Sequence, residues 1–75
     1  MKAEHMVHMV NQIALNFGAY PHDDAVDRTV DHLKLFWERR MKQQLFDYVD
    51  AGGAGLNEVA LEAAKKLRTL VAVKQ

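Results

Sequence analysis

The chain has 75 residues, of which 49% are hydrophobic, with ten lysines and arginines against ten aspartates and glutamates. This length predicts one domain, residues 1–75, with a marginal core, because so short a chain buries only about 60% of its unfolded surface. The absence of cysteine excludes disulfides and thiolate metal sites, and the formal charge of zero argues against a nucleic-acid binder.

The first predicted helix runs from about Ala3 to Phe17. Its apolar stripe has the spacing of an amphipathic helix and consists of Met6, Met9, Val10, Ile13 and Phe17. Gly18 ends the helix, and Pro21 disfavours a helical conformation at the preceding Tyr20.

The second predicted helix begins near His22 or Asp23. Three carboxylates at its start can cap free N–H groups and face the positive end of the helix dipole: Asp23, Asp24 and Asp27. Its stripe consists of Val26, Val30, Leu33 and Trp37. The pattern then shifts phase between Glu38 and Arg40, which predicts a bend or short break.

The third and fourth predicted helices are separated by a glycine-rich loop, residues 52–55. The third helix carries Met41, Leu45, Tyr48 and Val49. Asn57 is the predicted N-cap of the fourth helix, with Leu56 and Leu61 placed for a hydrophobic staple. The predicted core face is Ala60, Ala63, Ala64, Leu67 and Val71, and the basic residues Lys65, Lys66 and Arg68 suit the negative helix end. No segment alternates with period two, so the predicted fold is all-α, a small bundle of about four short helices.

Each helix also has a large apolar side chain outside its stripe: Leu15, Leu35, Phe46 and Leu61. Two interpretations are open. Scattered exposed apolar residues are normal, and the staple already uses Leu61. If two or more of these side chains converge in space, however, they form a docking patch.

Residues that could carry chemistry are few. His5 and His8, with Glu4 beside them, could hold zinc or iron, but a solvated N-terminal turn is the preferred interpretation because no second ligand cluster accompanies them. Serine and cysteine, the two commonest nucleophiles, are absent, and four short helices leave little room for a catalytic pocket. We therefore predict no catalytic, cofactor-binding or metal-binding residue in this chain.

Localisation follows from the hydrophobic pattern. The longest unbroken apolar run, residues 70–73, is far too short to span a bilayer. The sequence does not open with the basic segment and apolar run of a secretory leader. We expect a soluble, cytoplasmic protein without membrane contacts.

The segment from Phe36 to Met41 is the most distinctive part of the sequence. Phe36 and Trp37 lie about 100° apart on a regular helix, so either both line a wide core or Trp37 or Arg40 faces a partner. A DNA-reading helix containing Arg39, Arg40 and Lys42 is a further alternative. The acidic second helix and the aspartates in the third helix weigh against it.

These residues resemble a known family, the delta subunit of soluble, NAD-dependent, molybdenum-containing formate dehydrogenases. The likeness extends from about His5 to Leu70, and its most specific parts are the Asn11-Gln12 pair and the run from Phe36 to Met41. It also includes Tyr20-Pro21, His32-Leu33, Leu45, Gly55-Leu56, Glu62-Ala63 and Leu67. The chain departs from the family pattern at Arg39, where proline is usual, and at Asn57-Glu58, where Ser-Pro is usual.

The resemblance implies a non-catalytic accessory subunit that binds no redox cofactor and supports the assembly or stability of the complex. In such complexes the alpha subunit carries bis-molybdopterin guanine dinucleotide and iron–sulfur clusters. The beta and gamma subunits carry FMN, further iron–sulfur clusters and the NAD site.

We therefore expect the chain to dock mainly on the alpha subunit of a formate dehydrogenase. The candidate interface residues are Asn11, Gln12, Leu35, Trp37, Arg40 and Phe46. The alternative is a free-standing helical regulator or homodimer that uses the same patch on itself, with DNA binding as a third interpretation.

Overall fold

Four helices make up the computed structural model, which describes residues 1–73. They are α1 (Ala3–Asn16), α2 (His22–Phe36), α3 (Arg39–Asp50) and α4 (Glu58–Val73). The described residues contain no strand. The predicted all-α fold with four short helices is confirmed.

The junction between α1 and α2 differs in detail from the prediction. Helix α1 ends at Asn16, one residue early, and Phe17 is its C-cap. Helix α2 begins at His22 as predicted, but its N-cap is Pro21, and no side chain caps the free N–H groups. The predicted capping by aspartates is therefore wrong, although Asp23 and Asp24 lie in the first turn, where they face the positive helix end.

The predicted break between the second and third helices is confirmed. Trp37 is extended, with φ −90° and ψ 132°, and its N–H still donates to the carbonyl of Leu33. Glu38 is also extended, and α3 begins at Arg39. The chain therefore leaves the helical path after Trp37, and Phe36 is the last residue of α2.

The start of α4 agrees with the sequence pattern. The side-chain Oδ1 of Asn57 accepts a hydrogen bond of 2.8 Å from the N–H of Ala60, so the predicted N-cap is confirmed. Leu56 and Leu61 both approach Gly53, whose backbone has φ +65° and where a Cβ would lie 2.8 Å from Cδ1 of Leu61. The predicted position of the basic residues is wrong, because α4 continues to Val73 and Lys65, Lys66 and Arg68 lie along its middle.

Helix α4 contacts the other three helices, and its contact with α2 is the most extensive. The buried apolar residues form one cluster: Met6, Val10, Ala14, Val26, Val30, Leu33, Trp37, Leu45, Phe46, Ala60, Ala63, Ala64 and Leu67. Three of the four buried residues of α4 are alanines, whose small side chains permit close packing between helices. Val71, which was predicted to be buried, packs against the cluster but is only half-buried.

The predicted face of α3 is rotated in the structure. Leu45 and Phe46 are its two buried residues, whereas Met41, Tyr48 and Val49 are half-buried at the edges. The prediction that Phe46 lies outside the core is therefore wrong, because α3 turns this side chain toward the other helices. Among the described residues, no helix is long and apolar enough to cross a membrane.

Candidate docking surface

The last turn of α2 exposes two large apolar side chains to solvent. Leu35 is 74% exposed and Phe36 is 71% exposed, whereas Trp37 is only 5% exposed. The interpretation that Phe36 and Trp37 both line the core is therefore wrong for Phe36. Trp37 follows Leu33 by four residues and lies on the same buried face of α2, whereas Phe36 lies about 100° away from Trp37 around the helix.

Phe36 is the end of a row of aromatic rings along the surface. Its ring centroid lies 4.8 Å from that of His32, which lies 6.5 Å from that of Phe17. Phe17 in turn lies 6.3 Å from Tyr20, whose ring face is covered by the Arg28 guanidinium at 3.9 Å. We call Tyr20, Phe17, His32 and Phe36 the aromatic row. It connects the C-terminal end of α1 with the C-terminal end of α2.

A groove of about 410 Å³ lies on one side of this row, between α1 and the corner where α2 meets α3. Its lining is mostly apolar and consists of His8, Met9, Gln12, Ile13, His32, Phe36, Trp37 and Met41. Two methionines in a groove of this kind can adapt to the shape of an incoming side chain, because the thioether chain is flexible and polarizable.

A second groove of about 240 Å³ lies on the other side of the row. Its lining consists of Phe17, Arg28, Asp31, His32, Leu35 and Phe36. His32 and Phe36 belong to both grooves and form the wall between them. The docking surface is defined here as the aromatic row together with the two grooves. It offers two adjacent apolar recesses.

Positive charge is concentrated in the same part of the chain. Residues 28–42 contain five of the ten lysines and arginines but only two acidic residues, so this segment carries +3 and the remainder −3. The ion pairs of the described residues lie elsewhere: His22–Glu62, Asp27–Lys66 and Asp50–Arg68. None of the five cations of the segment pairs with a carboxylate of a described residue.

The structure divides the six interface candidates. Gln12, Leu35 and Trp37 line the two grooves, Trp37 as a buried residue. Arg40 is exposed at the start of α3. Phe46 is only 5% exposed and has no face available for a partner.

Asn11 is engaged within the chain. Its side-chain N–H donates to the carbonyl of Gly55 at 2.9 Å, and its Oδ1 accepts from the N–H of Asn57 at 2.9 Å. This amide therefore connects α1 to the loop before α4. These hydrogen bonds explain why a polar residue occupies the half-buried position of Asn11. Whether any of the six residues contacts a partner stays a prediction.

Sequence reasoning missed Phe36 itself and the residues that surround it, Met9, Ile13, His32 and Met41, as members of one surface. The signal for Phe36 was present, since two adjacent aromatics at the end of a helix cannot share one face. The grooves lie between α1, α2 and α3, so their lining could not be inferred from any single helix. Of the four side chains outside the predicted stripes, Leu35 lines a groove, whereas Leu15 is exposed apart from both grooves.

A polar cluster joins the first turn of α2 to the first turns of α4. His22 Nε2 lies 2.9 Å from Glu62 Oε2, and the ligand atoms of His22, Glu58 and Glu62 all lie within 4.8 Å of one another. The hydrogen bond and the negative charge of Glu62 raise the pKa of His22 above its ordinary value of 6.5. All three side chains are exposed. The cluster is therefore an ion pair on the surface whose atoms are of the types that also bind metals. His5 and His8 are not part of this cluster.

A family model described as "NADH-dependant formate dehydrogenase delta subunit FdsD" matches residues 5–64. The matched span runs from His5 in α1 to Ala64 in α4 and therefore includes every residue that lines the two grooves. No curated protein and no solved structure matches the chain.

Proposed function

Because the chain belongs to the family of NADH-dependent formate dehydrogenase delta subunits, we propose that it is a non-catalytic accessory subunit that docks on the catalytic alpha subunit. The resemblance found in the sequence is thereby confirmed at the level of the family. The observation that carries the docking proposal is the exposed Phe36, which is flanked by two apolar grooves. The small hydrophobic core of so short a chain also favours a protein that is stabilised by a partner.

We propose that docking supports the assembly or stability of the complex. A subunit that binds the folded partner, and not its unfolded chain, stabilises the partner by mass action. When the free concentration of such a subunit is about 100 times its dissociation constant, binding contributes about 2.7 kcal/mol to the stability of the folded partner. A small protein without redox chemistry can therefore have a large effect on how much complex accumulates.

The proposal assigns the redox cofactors to the other subunits. The expected distribution is bis-molybdopterin guanine dinucleotide and iron–sulfur clusters on alpha, and FMN, further clusters and the NAD site on beta and gamma. The lack of cysteine supports a chain without an iron–sulfur cluster, because these clusters are held by cysteine thiolates. We also propose a cytoplasmic location, since the resemblance is to soluble formate dehydrogenases.

Co-purification with the tagged alpha subunit tests the proposal. We expect this chain to be recovered with alpha, beta and gamma in fixed proportion, and a strain lacking it to contain less assembled, cofactor-loaded complex. Elution of the chain alone, with an intact dehydrogenase in other fractions, would contradict the proposal. Light scattering on the isolated chain identifies the alternative, because a stable homodimer would mean that the docking surface is used for self-association.

A further inference from the structure

The charges around the docking surface restrict the chemistry of the partner segment that can cover it. Arg28 lines the smaller groove. Arg39 and Arg40 are exposed and stand in the chain between the groove-lining residues Trp37 and Met41. Their positive charges have no carboxylate partner among the described residues. The five cations of residues 28–42 outnumber the two carboxylates of this segment, Asp31 and Glu38, so the surface fits a partner segment that is both apolar and acidic.

The start of α3 adds a second observation about the same two arginines. Helix N-termini favour negative side chains, yet the first turn of α3 contains no acidic residue and opens with Arg39 and Arg40. The N-cap Glu38 makes no capping hydrogen bond with its side chain. Two arginines at the positive end of a helix repel the helix dipole, and carboxylates from another chain would relieve this repulsion.

The shape of the surface sets the number of apolar anchors. His32 and Phe36 form the wall between two recesses, one of about 410 Å³ and one of about 240 Å³. A segment that crosses this wall places one large side chain in each recess. Anchors in adjacent pockets with charged residues at the rim are typical of peptide segments bound in grooves.

We infer that the docking surface binds a segment of the alpha subunit that has two large apolar side chains, one on each side of Phe36, with aspartates or glutamates beside them. This inference rests on the proposed function and specifies the partner segment. The carboxylates pair with Arg39 and Arg40, and the apolar side chains fill the two grooves.

The first experiment measures recovery of the tagged alpha subunit complex with variants of this chain. Phe36→Asp places a carboxylate on the wall between the grooves, and we expect about a tenfold or greater loss of this chain from the complex. Leu15→Asp is the matched control, because Leu15 is 64% exposed and lies in neither groove. Circular dichroism of each isolated variant shows whether the fold is retained.

The second experiment tests the charges. The double reversal Arg39→Glu/Arg40→Glu should reduce recovery about tenfold or more, and raising the salt from about 50 mM to about 500 mM should weaken wild-type binding. Lys2→Glu/Lys65→Glu changes the net charge by the same amount on exposed residues outside both grooves, and should have little effect. Cross-linking with mass spectrometry then locates the partner segment, and replacing its carboxylates by lysine should restore binding to the Arg39→Glu/Arg40→Glu variant.

Failures of the inference and of the proposed function give different results. If the wild-type chain never co-purifies with alpha, the proposed function fails and the inference with it. If the wild type co-purifies but the groove variants behave like their controls, or the cross-linked segment lacks carboxylates, only the inference is overturned. The same holds if Phe36→Asp abolishes self-association in light scattering, or binding to an oligo-dT of about 20 nucleotides, without changing recovery with alpha.

Discussion

At the residue scale, single side chains decide how the helices are joined. The amide of Asn11 serves both the loop before α4, through Gly55, and the start of α4 itself, through Asn57. These hydrogen bonds connect residues more than forty positions apart in the sequence. Gln12 follows in the same helix but is exposed and makes no side-chain hydrogen bond with a described residue. The two neighbouring amides therefore have different roles.

We expect Asn11→Ala to lower the free energy of unfolding by about 1–3 kcal/mol, because the N–H of Asn57 and the carbonyl of Gly55 lose their partner. Gln12→Ala should change it by less than about 0.5 kcal/mol. Urea denaturation followed by circular dichroism measures both values. Equal losses in the two variants would contradict the structural role given to Asn11.

The two adjacent aromatics provide a second comparison. Trp37→Ala should cost about 3–5 kcal/mol, because it opens a cavity in the core, whereas Phe36→Ala should stay within about 0.5 kcal/mol. Thermal unfolding of the isolated chain measures the difference, with Trp37→Phe as an intermediate case if Trp37→Ala does not fold. A larger loss for Phe36→Ala than for Trp37→Ala would show that their burial is reversed in solution.

At the element scale, α2 and α4 form the main contact of the fold, and charged side chains border it. Asp27 pairs with Lys66 on the exposed edge of this contact, and His22 pairs with Glu62 nearer the helix starts. Exposed ion pairs contribute little to stability on average, so the buried face between the helices carries most of the contact. The ion pair of His22, however, makes the contact depend on pH.

The contribution of His22 to the free energy of unfolding should decrease as the pH rises. The pKa of His22 is raised in the folded chain by its hydrogen bond to Glu62, then by the charge of Glu62, with smaller contributions from Glu58 and Asp23. The stabilisation is therefore fully present below pH 6.5, the ordinary pKa, and is lost as the pH rises through the raised value.

The measurement is the difference in free energy of unfolding between wild type and His22→Gln, at about pH 5.5 and about pH 8.5. We expect a larger difference at the lower pH, and Glu62→Gln to abolish the dependence. His5→Gln is the control, because His5 is exposed and makes no side-chain hydrogen bond with a described residue. A difference that grows with pH would mean that the ion pair does not form.

At the scale of the whole molecule, the two most exposed large apolar side chains, Leu35 and Phe36, lie in the same segment as five cations that pair with no carboxylate of a described residue. The segment of residues 28–42 carries the positive excess, and it includes Phe36, Leu35 and most of the smaller groove. The remainder of the chain carries the opposite charge, so the charges are separated along the chain although they sum to zero. Such a distribution orients a small subunit as it approaches a charged partner.

We expect the partner to raise the thermal stability of this chain, because binding to the folded state alone shifts the unfolding equilibrium. The gain should be about 2.7 kcal/mol when the free alpha subunit is present at 100 times the dissociation constant, and it should increase with its concentration. Hydrogen exchange of α2 amides, with and without the alpha subunit, reports this change. Identical exchange in both samples would argue against docking.

The sequence predicted the four helices, the break before α3, the Asn57 cap and the family. The first three depend on the spacing of apolar residues or on a local hydrogen bond, and such information is contained within a few turns of one helix. The family depends on the likeness of particular residues, chiefly the Asn11-Gln12 pair and the run from Phe36 to Met41. The packing of the helices established that Phe46 is buried, that Asn11 joins α1 to α4, and that Phe36 stands between two grooves. These outcomes depend on how the helices rotate and pack against one another, and a helical pattern leaves that rotation open over the width of its apolar face.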